Sequence, residues 1–322
     1  MTMFSIRTLV LLTLSLSGAA FAGGAGMPPL GGAMPPMNGG AKLADTNPPA
    51  AQNVAYARTS PTQTLDVYLP AGNGPFPAVF AIHGGAFKFG DKTGWSAPVG
   101  QALLKAGYAV VAVNYRLSGE ALFPAAAQDV KAAVRFMRAN AARYRLDPQR
   151  FGAYGESAGG NLAALLGTTG NNASLLDAPN LGNAGVSSAV RAVADLYGPN
   201  DFAAIDPLLR AQGCQSSQIN HDTAAGFESL YLGSALPRVP AQVKQANPIT
   251  YVDTGDAAFL IQNGGKDCNV GGGQGQLLAD ALTTAGVPFE KTFFPNAGHG
   301  GSDFESSANV QRIVSFFNRY LN

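Results

Sequence analysis

The segment RFGAYGESAGGNLAAL, residues 150–165, predicts the fold of the chain more strongly than any other. Its pattern indicates a short buried strand, a sharp turn and the start of a helix, with G-x-S-x-G from Gly155 to Gly159 at the turn. Such a turn crowds the backbone on both sides of Ser157, and the glycines leave the room that it needs. It also puts Ser157 at a helix N-terminus, where free N–H groups favour negative charge. A glycine-rich turn that merely contains a serine is the alternative, because this motif is common by itself.

Apolar segments alternate with helical ones through the rest of the chain. Six further strands are predicted, at residues 64–69, 77–82, 108–114, 190–196, 257–262 and 287–293. Helices are predicted around 101–106 and at 124–144, 274–285 and 304–320. This alternation, with continuously apolar strands, predicts an α/β fold whose mostly parallel central sheet is covered by helices on both faces. The segment 64–69 alternates apolar and polar residues, which predicts an edge strand.

The first 51 residues are predicted to lie outside the folded domain. Residues 1–22 have a basic residue, a short apolar run and a final A-x-A, which are the features of a signal peptide. The apolar run is too short for a membrane span, which needs roughly 20 apolar residues. We therefore expect an exported protein, periplasmic or extracellular. Residues 23–51 are rich in glycine, proline, alanine and methionine, which predicts a flexible segment.

Residues 52–322 suit one large domain. Within it, residues 198–247 break the alternation of strands and helices and are rich in Asp, Pro, Ser and Gln. We interpret this segment as a short cap-like insertion over the top of the sheet. Ligands of such folds bind outside the carboxyl ends of the strands. The insertion is therefore expected to shape a substrate pocket.

Charge and composition argue against several classes of partner. The chain has 21 basic and 20 acidic residues, a net charge of +1, and no basic run, so neither nucleic acid nor an anionic membrane surface is indicated. Apart from the N-terminal run, no stretch is long and apolar enough for integral membrane association. Hydrophobic residues make up 46% of the chain, which fits a sizeable core. The oligomeric state cannot be read from these features.

Only three histidines could serve Ser157 as a base. His299 lies in a glycine loop, NAGHGG, between the last predicted strand and helix. His221 lies in the insertion without a supporting pattern and is interpreted as a surface residue. His83 begins the loop HGGAF and is assigned to that loop instead.

A histidine base needs a carboxylate that holds its tautomer. Asp267 follows the strand 257–262, and the chain order Ser, Asp, His is the one expected of α/β-hydrolases. Asp195 is the strongest competitor because it ends a predicted strand. Glu156, next to the serine, is expected to pack or form hydrogen bonds beneath the turn. The other competing acids are Asp201, Asp253, Asp256 and Asp303.

The third requirement is a set of donors for the oxyanion that forms during acyl transfer. The N–H of Ala158, the residue after the serine, is one candidate. The loop after the strand 77–82 supplies the others, and we choose Gly85 and Ala86, since glycines let backbone N–H groups approach a substrate. A purely structural Gly-Gly turn is the alternative.

The chain has two cysteines, Cys214 and Cys268. Export to an oxidising compartment makes a disulfide between them the expected state. Such a bridge would tie the insertion to the loop that carries Asp267. Two unpaired buried thiols are the alternative.

These motifs together resemble the α/β-hydrolase carboxylesterases. The residues concerned are 155–160, 83–87 and the NYRL of 114–117, with further likeness at 123–130 and 247–252. Closest are the hormone-sensitive-lipase-like esterases and the bacterial feruloyl/acetylxylan-esterase-like group. The resemblance extends over roughly residues 59–321.

The resemblance implies a serine carboxylesterase with Ser157 as nucleophile, Asp267 as acid and His299 as base, and without metal or organic cofactor. Two positions depart from the family pattern. The fourth residue of the oxyanion loop is often glycine, and here it is Ala86. After the acid the family often has Val-Pro, where this chain has NVGGG at residues 269–273.

Several alternatives remain open at this stage. A serine peptidase of the same fold would use the same three residues, although such enzymes usually have a large extra domain. A binding module without catalysis would be expected to have lost one of the three. For an esterase, the expected partner is a small-molecule or polymer-linked ester, such as acetylated or feruloylated plant polysaccharide. Small aliphatic esters, short-chain lipids and polyesters remain possible substrates.

Overall fold

A computed structural model describes residues 42–322 of the chain. The predicted signal peptide and most of the predicted flexible segment lie outside the described residues. From Lys42 onward the chain is packed: helix α1 (Leu43–Thr46) buries Leu43 to 2% exposure against the core. Packing therefore begins before residue 52, where the domain was predicted to start.

Eight strands form one sheet in the described part of the chain. In chain order they are β1 (Ala51–Ala55), β2 (Thr64–Tyr68), β3 (Phe76–Ile82), β4 (Ala109–Val113), β5 (Leu146–Glu156), β6 (Ala192–Leu196), β7 (Ala258–Gly264) and β8 (Phe289–Phe294). Their order across the sheet is β1-β2-β4-β3-β5-β6-β7-β8. Strand β2 is antiparallel to β1 and β4, and all other neighbours are parallel. The mostly parallel sheet predicted from the sequence is confirmed.

The prediction that residues 64–69 form an edge strand is wrong, because β1 pairs outside β2. Strand β1 has the sequence AQNVA and little apolar alternation, so the sequence pattern does not reveal it. Its register shifts between Ala51 and Val54, where Asn53 has a φ of 52° and its N–H donates to the Asp66 carboxylate at 2.7 Å. This irregular strand covers the edge that β2 would otherwise expose.

Nine further helices complete the described part. They are α2 (Ala97–Lys105), α3 (Ala125–Ala139), α4 (Ala158–Thr169), α5 (Ile205–Gln212), α6 (Phe227–Leu232), α7 (Pro240–Ala246), α8 (Gln274–Ala285), α9 (Ser302–Glu305) and α10 (Ser307–Leu321). The single helix predicted at 304–320 is thus divided, because Ser306 has extended backbone and its side chain caps α10 by accepting from the N–H of Asn309.

The sheet divides the core into two layers, one on each of its faces, and helices cover both layers. Helices α1, α2, α9 and α10 pack on one face, whereas α3, α4 and α8 pack on the other. Every residue of α4 is buried, which explains why its sequence has no charged residue and consists mostly of glycine, alanine and leucine. Helix α4 therefore runs through the centre of the domain, and the residue that precedes it is held firmly.

The insertion between β6 and β7 contains α5, α6 and α7, joined by short 3-10 helices. The apolar side chains of α5 and α6 join the same core layer as α3 and α4. The insertion is therefore packed into the domain along much of its length. The side chains of the insertion can therefore contact the loops that follow the strands.

Candidate active site

The turn between β5 and α4 shows why its sequence needs glycine. A Cβ on Gly155 would lie 2.0 Å from the carbonyl oxygen of Gly159, and one on Gly159 would lie 2.1 Å from that of Ile82. Real Cβ contacts do not come this close, so both positions exclude a side chain. Between them Ser157 has φ 56° and ψ −122°, a conformation that L-residues rarely adopt. The turn thus holds the Ser157 hydroxyl away from its own backbone.

Ser157, His299 and Asp267 lie in one line of hydrogen bonds. The distance from Ser157 Oγ to His299 Nε2 is 2.7 Å, and that from His299 Nδ1 to Asp267 Oδ2 is 2.8 Å. Ser157 is 7% exposed and Asp267 is completely buried. The structure therefore brings together the three residues that sequence reasoning selected, although they are far apart in the chain.

Two loops at the ends of β7 and β8 place the acid and the histidine side by side. The N–H of Gly265 donates to Phe294 and the N–H of Lys266 donates to Ala297, both at 2.8 Å. A Cβ on Gly264 would lie 2.2 Å from the carbonyl oxygen of Gly298, so the end of β7 presses directly against the histidine loop. This close contact sets the distance between the two side chains.

The carboxylate of Asp267 is held in its ionised form. Burial alone raises the pKa of this carboxyl, but the attraction of His299 and hydrogen bonds from the N–H groups of Val270 and Asn269 outweigh burial and lower the pKa. One oxygen accepts those two N–H bonds while the other faces His299. The charge is therefore present to stabilise an imidazolium at His299.

The loop after β3 presents unpaired backbone donors beside the serine. The N–H groups of Gly85, Ala86 and Ala158 donate to no protein acceptor among residues 42–322. Gly85 has φ 110°, and a Cβ there would lie 2.1 Å from the carbonyl oxygen of Phe89, which excludes any other residue. The structure thus leaves all three predicted donors free.

Ala86 and Phe87 also have positive φ, 55° and 57°. The left-handed conformation costs an L-residue about 1–2 kcal/mol relative to glycine. This explains why glycine is frequent at the position of Ala86 in the family that the sequence resembles. Here the conformation is held by packing, because the ring of Phe87 is buried and stacks on Tyr231 of α6 with 4.0 Å between the ring centres.

His83 is buried at the start of this loop and supports it. Its ring stacks on Tyr115, with 4.3 Å between the ring centres, and the Tyr115 hydroxyl donates to the His83 carbonyl at 2.9 Å. Burial lowers the pKa of His83 to about 4. The imidazole is therefore neutral near pH 7.

The interpretation of His221 as a surface residue is wrong. His221 is 6% exposed and pairs with Glu228 of α6, while its N–H donates to Asp206 of α5 at 3.1 Å. The sequence misleads here because the two carboxylates that make burial possible are 7 and 15 residues away.

Asp195 and Glu156 are buried and held by hydrogen bonds to groups other than His299. Asp195 accepts from the N–H of Gly198 at 3.0 Å and from the Asn200 amide at 2.9 Å, which commits both of its oxygens, and burial raises its pKa to about 6. Glu156 is buried beneath the turn and accepts from the Tyr154 hydroxyl. Asp267 is thus the acid that meets His299.

Tyr197 is a site residue that sequence reasoning did not find. It follows β6 with φ 45°, and its ring packs edge-on against His299, with 4.9 Å between the ring centres. Phe304 supports the opposite side of Tyr197 at 4.7 Å. No local pattern marks this residue, because its role depends on the neighbouring loop.

Cys214 and Cys268 form a disulfide with a Cα–Cα distance of 5.6 Å. The bridge joins the end of α5 to the residue next to Asp267. Within residues 42–322, no cluster of three or more His, Cys, Asp or Glu side chains is arranged to hold a metal ion. Nor is any helix of that part long and apolar enough to cross a membrane.

The family model BD-FAE matches residues 65–282, which is more than half of the chain. The chain belongs to the BD-FAE family. Among curated proteins, the esterase LipQ of Mycobacterium tuberculosis is 29% identical over 74% of this chain and 53% of its own length. The chain spans about half the length of the curated relatives it matches.

Two solved structures are more similar to this BD-FAE chain. A truncated form of a carbohydrate esterase from gut microbiota is 32% identical with a TM-score of 0.76, and the match covers 85% of this chain and 97% of that one. A bifunctional GH43-CE protein of Bacteroides eggerthii is also 32% identical with a TM-score of 0.76, and the match covers 84% of this chain and 35% of that one. These likenesses confirm the α/β-hydrolase fold and the relation to esterases.

Proposed function

We propose that this protein is a serine carboxylic-ester hydrolase that acts through an acyl-enzyme on Ser157. The observation that carries the proposal is the unbroken line from Ser157 through His299 to Asp267, with distances of 2.7 and 2.8 Å. Three free N–H groups beside the serine complete the requirements for acyl transfer. The similarity to carbohydrate esterase and esterase proteins supports the same reaction.

The proposed reaction has two stages. His299 Nε2 takes the proton of Ser157 Oγ while the oxygen attacks the ester carbonyl, and the resulting oxyanion accepts from the N–H groups of Gly85, Ala86 and Ala158. The imidazolium, paired with ionised Asp267, then protonates the leaving alcohol. In the second stage His299 takes a proton from water, whose oxygen attacks the acyl carbonyl, and the imidazolium then returns the proton to Ser157 Oγ as the acid is released. Every group in these two stages belongs to the protein, the ester or water.

For the substrate we propose acetyl or feruloyl esters of plant polysaccharide. Support comes from the carbohydrate esterase of gut microbiota, which is 32% identical to this chain. Polyesters and short-chain lipid esters are the competing substrates. A panel of p-nitrophenyl esters of increasing acyl length, with methyl ferulate and acetylated xylan, would rank them. Turnover of both acetylated xylan and methyl ferulate no faster than spontaneous hydrolysis, with rapid turnover of the longer p-nitrophenyl esters, would refute the polysaccharide assignment.

We also propose that the protein is exported to an oxidising compartment. The N-terminal pattern supports export, and a structural disulfide fits the same compartment. Cell fractionation followed by N-terminal sequencing of the mature protein is the test. An N-terminus still at Met1 in the cytoplasmic fraction would contradict this proposal.

Labelling with a fluorophosphonate probe tests the nucleophile. The wild-type protein should react at Ser157, and Ser157→Ala should neither react nor hydrolyse p-nitrophenyl acetate, because only the hydroxyl is lost. Ser315→Ala, an exposed position on α10, is the matched control and should behave as wild type. Residual turnover of Ser157→Ala within tenfold of wild type would refute the assignment.

A comparison of p-nitrophenyl acetate with aminoacyl anilides separates an esterase from a peptidase of the same fold. We expect ester turnover to exceed anilide turnover by several orders of magnitude. Comparable rates on the two substrate classes would favour the peptidase.

His299→Ala should abolish ester turnover as completely as Ser157→Ala does.

A further inference from the structure

Helix α5 of the insertion lies directly against the loop that carries Asp267. A Cβ on Gly273 would lie 2.7 Å from a methyl carbon of Leu208, and one on Gly271, which has φ 94°, would lie 3.3 Å from Leu208 Cβ. Gly271 and Gly273, which lie in the segment where the chain departs from the family pattern, thus leave room for Leu208 of α5. This part of the sequence is explained by a contact with the insertion.

Gln212, the last residue of α5, bridges the loop with its side-chain amide. Its Nε2 donates to the carbonyl oxygen of Asp267 at 2.9 Å, and its Oε1 accepts from the N–H of Gly272 at 3.2 Å. A net contribution of about 1 kcal/mol is typical of each such hydrogen bond. Because the two contacts lie on either side of the turn, a shift of the Asp267 backbone would break at least one of them.

Two further ties fix the insertion to the same loop. The disulfide holds Cys214, two residues after Gln212, to Cys268. Gln274, at the start of α8, accepts from the N–H groups of Asn200 and Asp201, both at 2.8 Å. The end of α5, which carries Gln212, is therefore itself held to this loop. The side-chain amide of Gln212 thus keeps a fixed position relative to the loop.

The orientation of the Asp267 carboxylate depends on the backbone of its own loop. One oxygen accepts from the N–H groups of Asn269 and Val270, and this leaves the other aimed at His299 at 2.8 Å. A rotation or shift of residues 267–270 would therefore turn the carboxylate away from the imidazole. Displacements of about 1 Å in a catalytic arrangement can lower the rate about 100-fold.

We propose that Gln212 is a positioning residue, which holds Asp267 in its productive orientation through the two backbone contacts of its amide. The proposal rests on the proposed function, in which Asp267 orients His299. Gln212 touches no reacting atom. Its contribution is exerted on the acid alone, so it should change turnover without changing the affinity for substrate.

The variant Gln212→Met keeps the length of the side chain and removes both hydrogen bonds. Gln245→Met, at an exposed glutamine of α7 in the same insertion, is the control. For Gln212→Met we expect kcat on p-nitrophenyl acetate at 25 °C to fall at least tenfold, with KM within twofold of wild type, while the control is unchanged. An unchanged kcat, with or without a lower Tm, would overturn the proposal.

A double-mutant cycle with Asp267→Ala separates positioning from general destabilisation, with the rate of fluorophosphonate labelling as the readout. If Gln212 acts through Asp267, then Gln212→Met should cause no further loss of rate in the Asp267→Ala background. The same fold-loss in both backgrounds would overturn the proposal, because Gln212 would then act independently. Wild-type labelling and turnover in Asp267→Ala would refute the role of Asp267 and this proposal with it, whereas failure of the proposed function itself would show as full turnover in Ser157→Ala.

Discussion

Replacing His221 with alanine is expected to destabilise the protein strongly while leaving its chemistry almost intact. His221 is 6% exposed and pairs with Glu228, which is 4% exposed. Removal of one partner of a buried ion pair costs about 3–5 kcal/mol, because the remaining charge is left buried and uncompensated. Whole domains are stable by only about 5–15 kcal/mol, so the loss is a large fraction of the total.

The expected change in Tm follows from this magnitude. For domains of 150–250 residues, 1 kcal/mol corresponds to about 2–4 °C, so His221→Ala should lower Tm by on the order of 10 °C. Calorimetry or circular dichroism measures it. Below the transition, kcat on p-nitrophenyl acetate should stay within a few-fold of wild type. A folded variant without activity would contradict this prediction and would mean that the His221 pair is needed for catalysis as well as for stability.

The stability should also depend on pH in a defined direction. Burial lowers the pKa of His221, but Glu228, Asp206 and Asp222 outweigh burial and raise the pKa above its ordinary value. The contribution of His221 to the free energy of unfolding is then fully present below about pH 6.5, which is the pKa of histidine in the unfolded chain. It is lost as pH rises through the higher pKa of the folded state. Arg210, which is 4.0 Å from Asp206, is the other charge that faces this cluster.

Urea denaturation of wild type and His221→Ala at pH 6 and pH 9 tests both the stabilising effect of the His221 pair and its dependence on pH. The difference in unfolding free energy between the two proteins should be larger at pH 6. Glu228→Gln removes the same pair from the other side and should reduce the same pH dependence. If His221→Ala is within about 0.5 kcal/mol of wild type at pH 6, as surface substitutions usually are, the buried pair does not stabilise the fold.

Three other substitutions test the geometry of the site. Gly159→Ala should abolish activity or folding, because its Cβ would lie 2.1 Å from a backbone oxygen of Ile82; a soluble, fully active variant would contradict this. Ala86→Gly should relieve about 1–2 kcal/mol of backbone strain, offset by roughly 0.5–1 kcal/mol of added chain entropy, so Tm should be equal or slightly higher and turnover within threefold. Cys214→Ser should lower unfolding free energy by about 2–5 kcal/mol and also reduce turnover on small esters; lower stability with unchanged turnover would refute only the catalytic part. Mass spectrometry of the unreduced wild type should find the peptides of Cys214 and Cys268 linked.

The α/β architecture and the serine turn could be predicted from the sequence because their determinants are local. Continuous apolar runs mark buried parallel strands, and the glycines at 155 and 159 mark a turn that a Cβ would block. The scarcity of histidines reduced the choice of base to three positions. The edge strand β1 was missed because its short, polar sequence is defined only by its pairing with β2.

What only the tertiary structure decided is which distant groups meet. The burial of His221 depends on carboxylates from α5 and α6, and the contact of Tyr197 with His299 depends on the folding of two loops. The hydrogen bond from the Gln212 side chain to the carbonyl oxygen of Asp267 likewise joins residues that are 55 positions apart. Sequence patterns report the periodicity and the backbone freedom of one segment at a time, whereas these contacts arise between segments that approach each other only when the sheet, α4 and the insertion pack together.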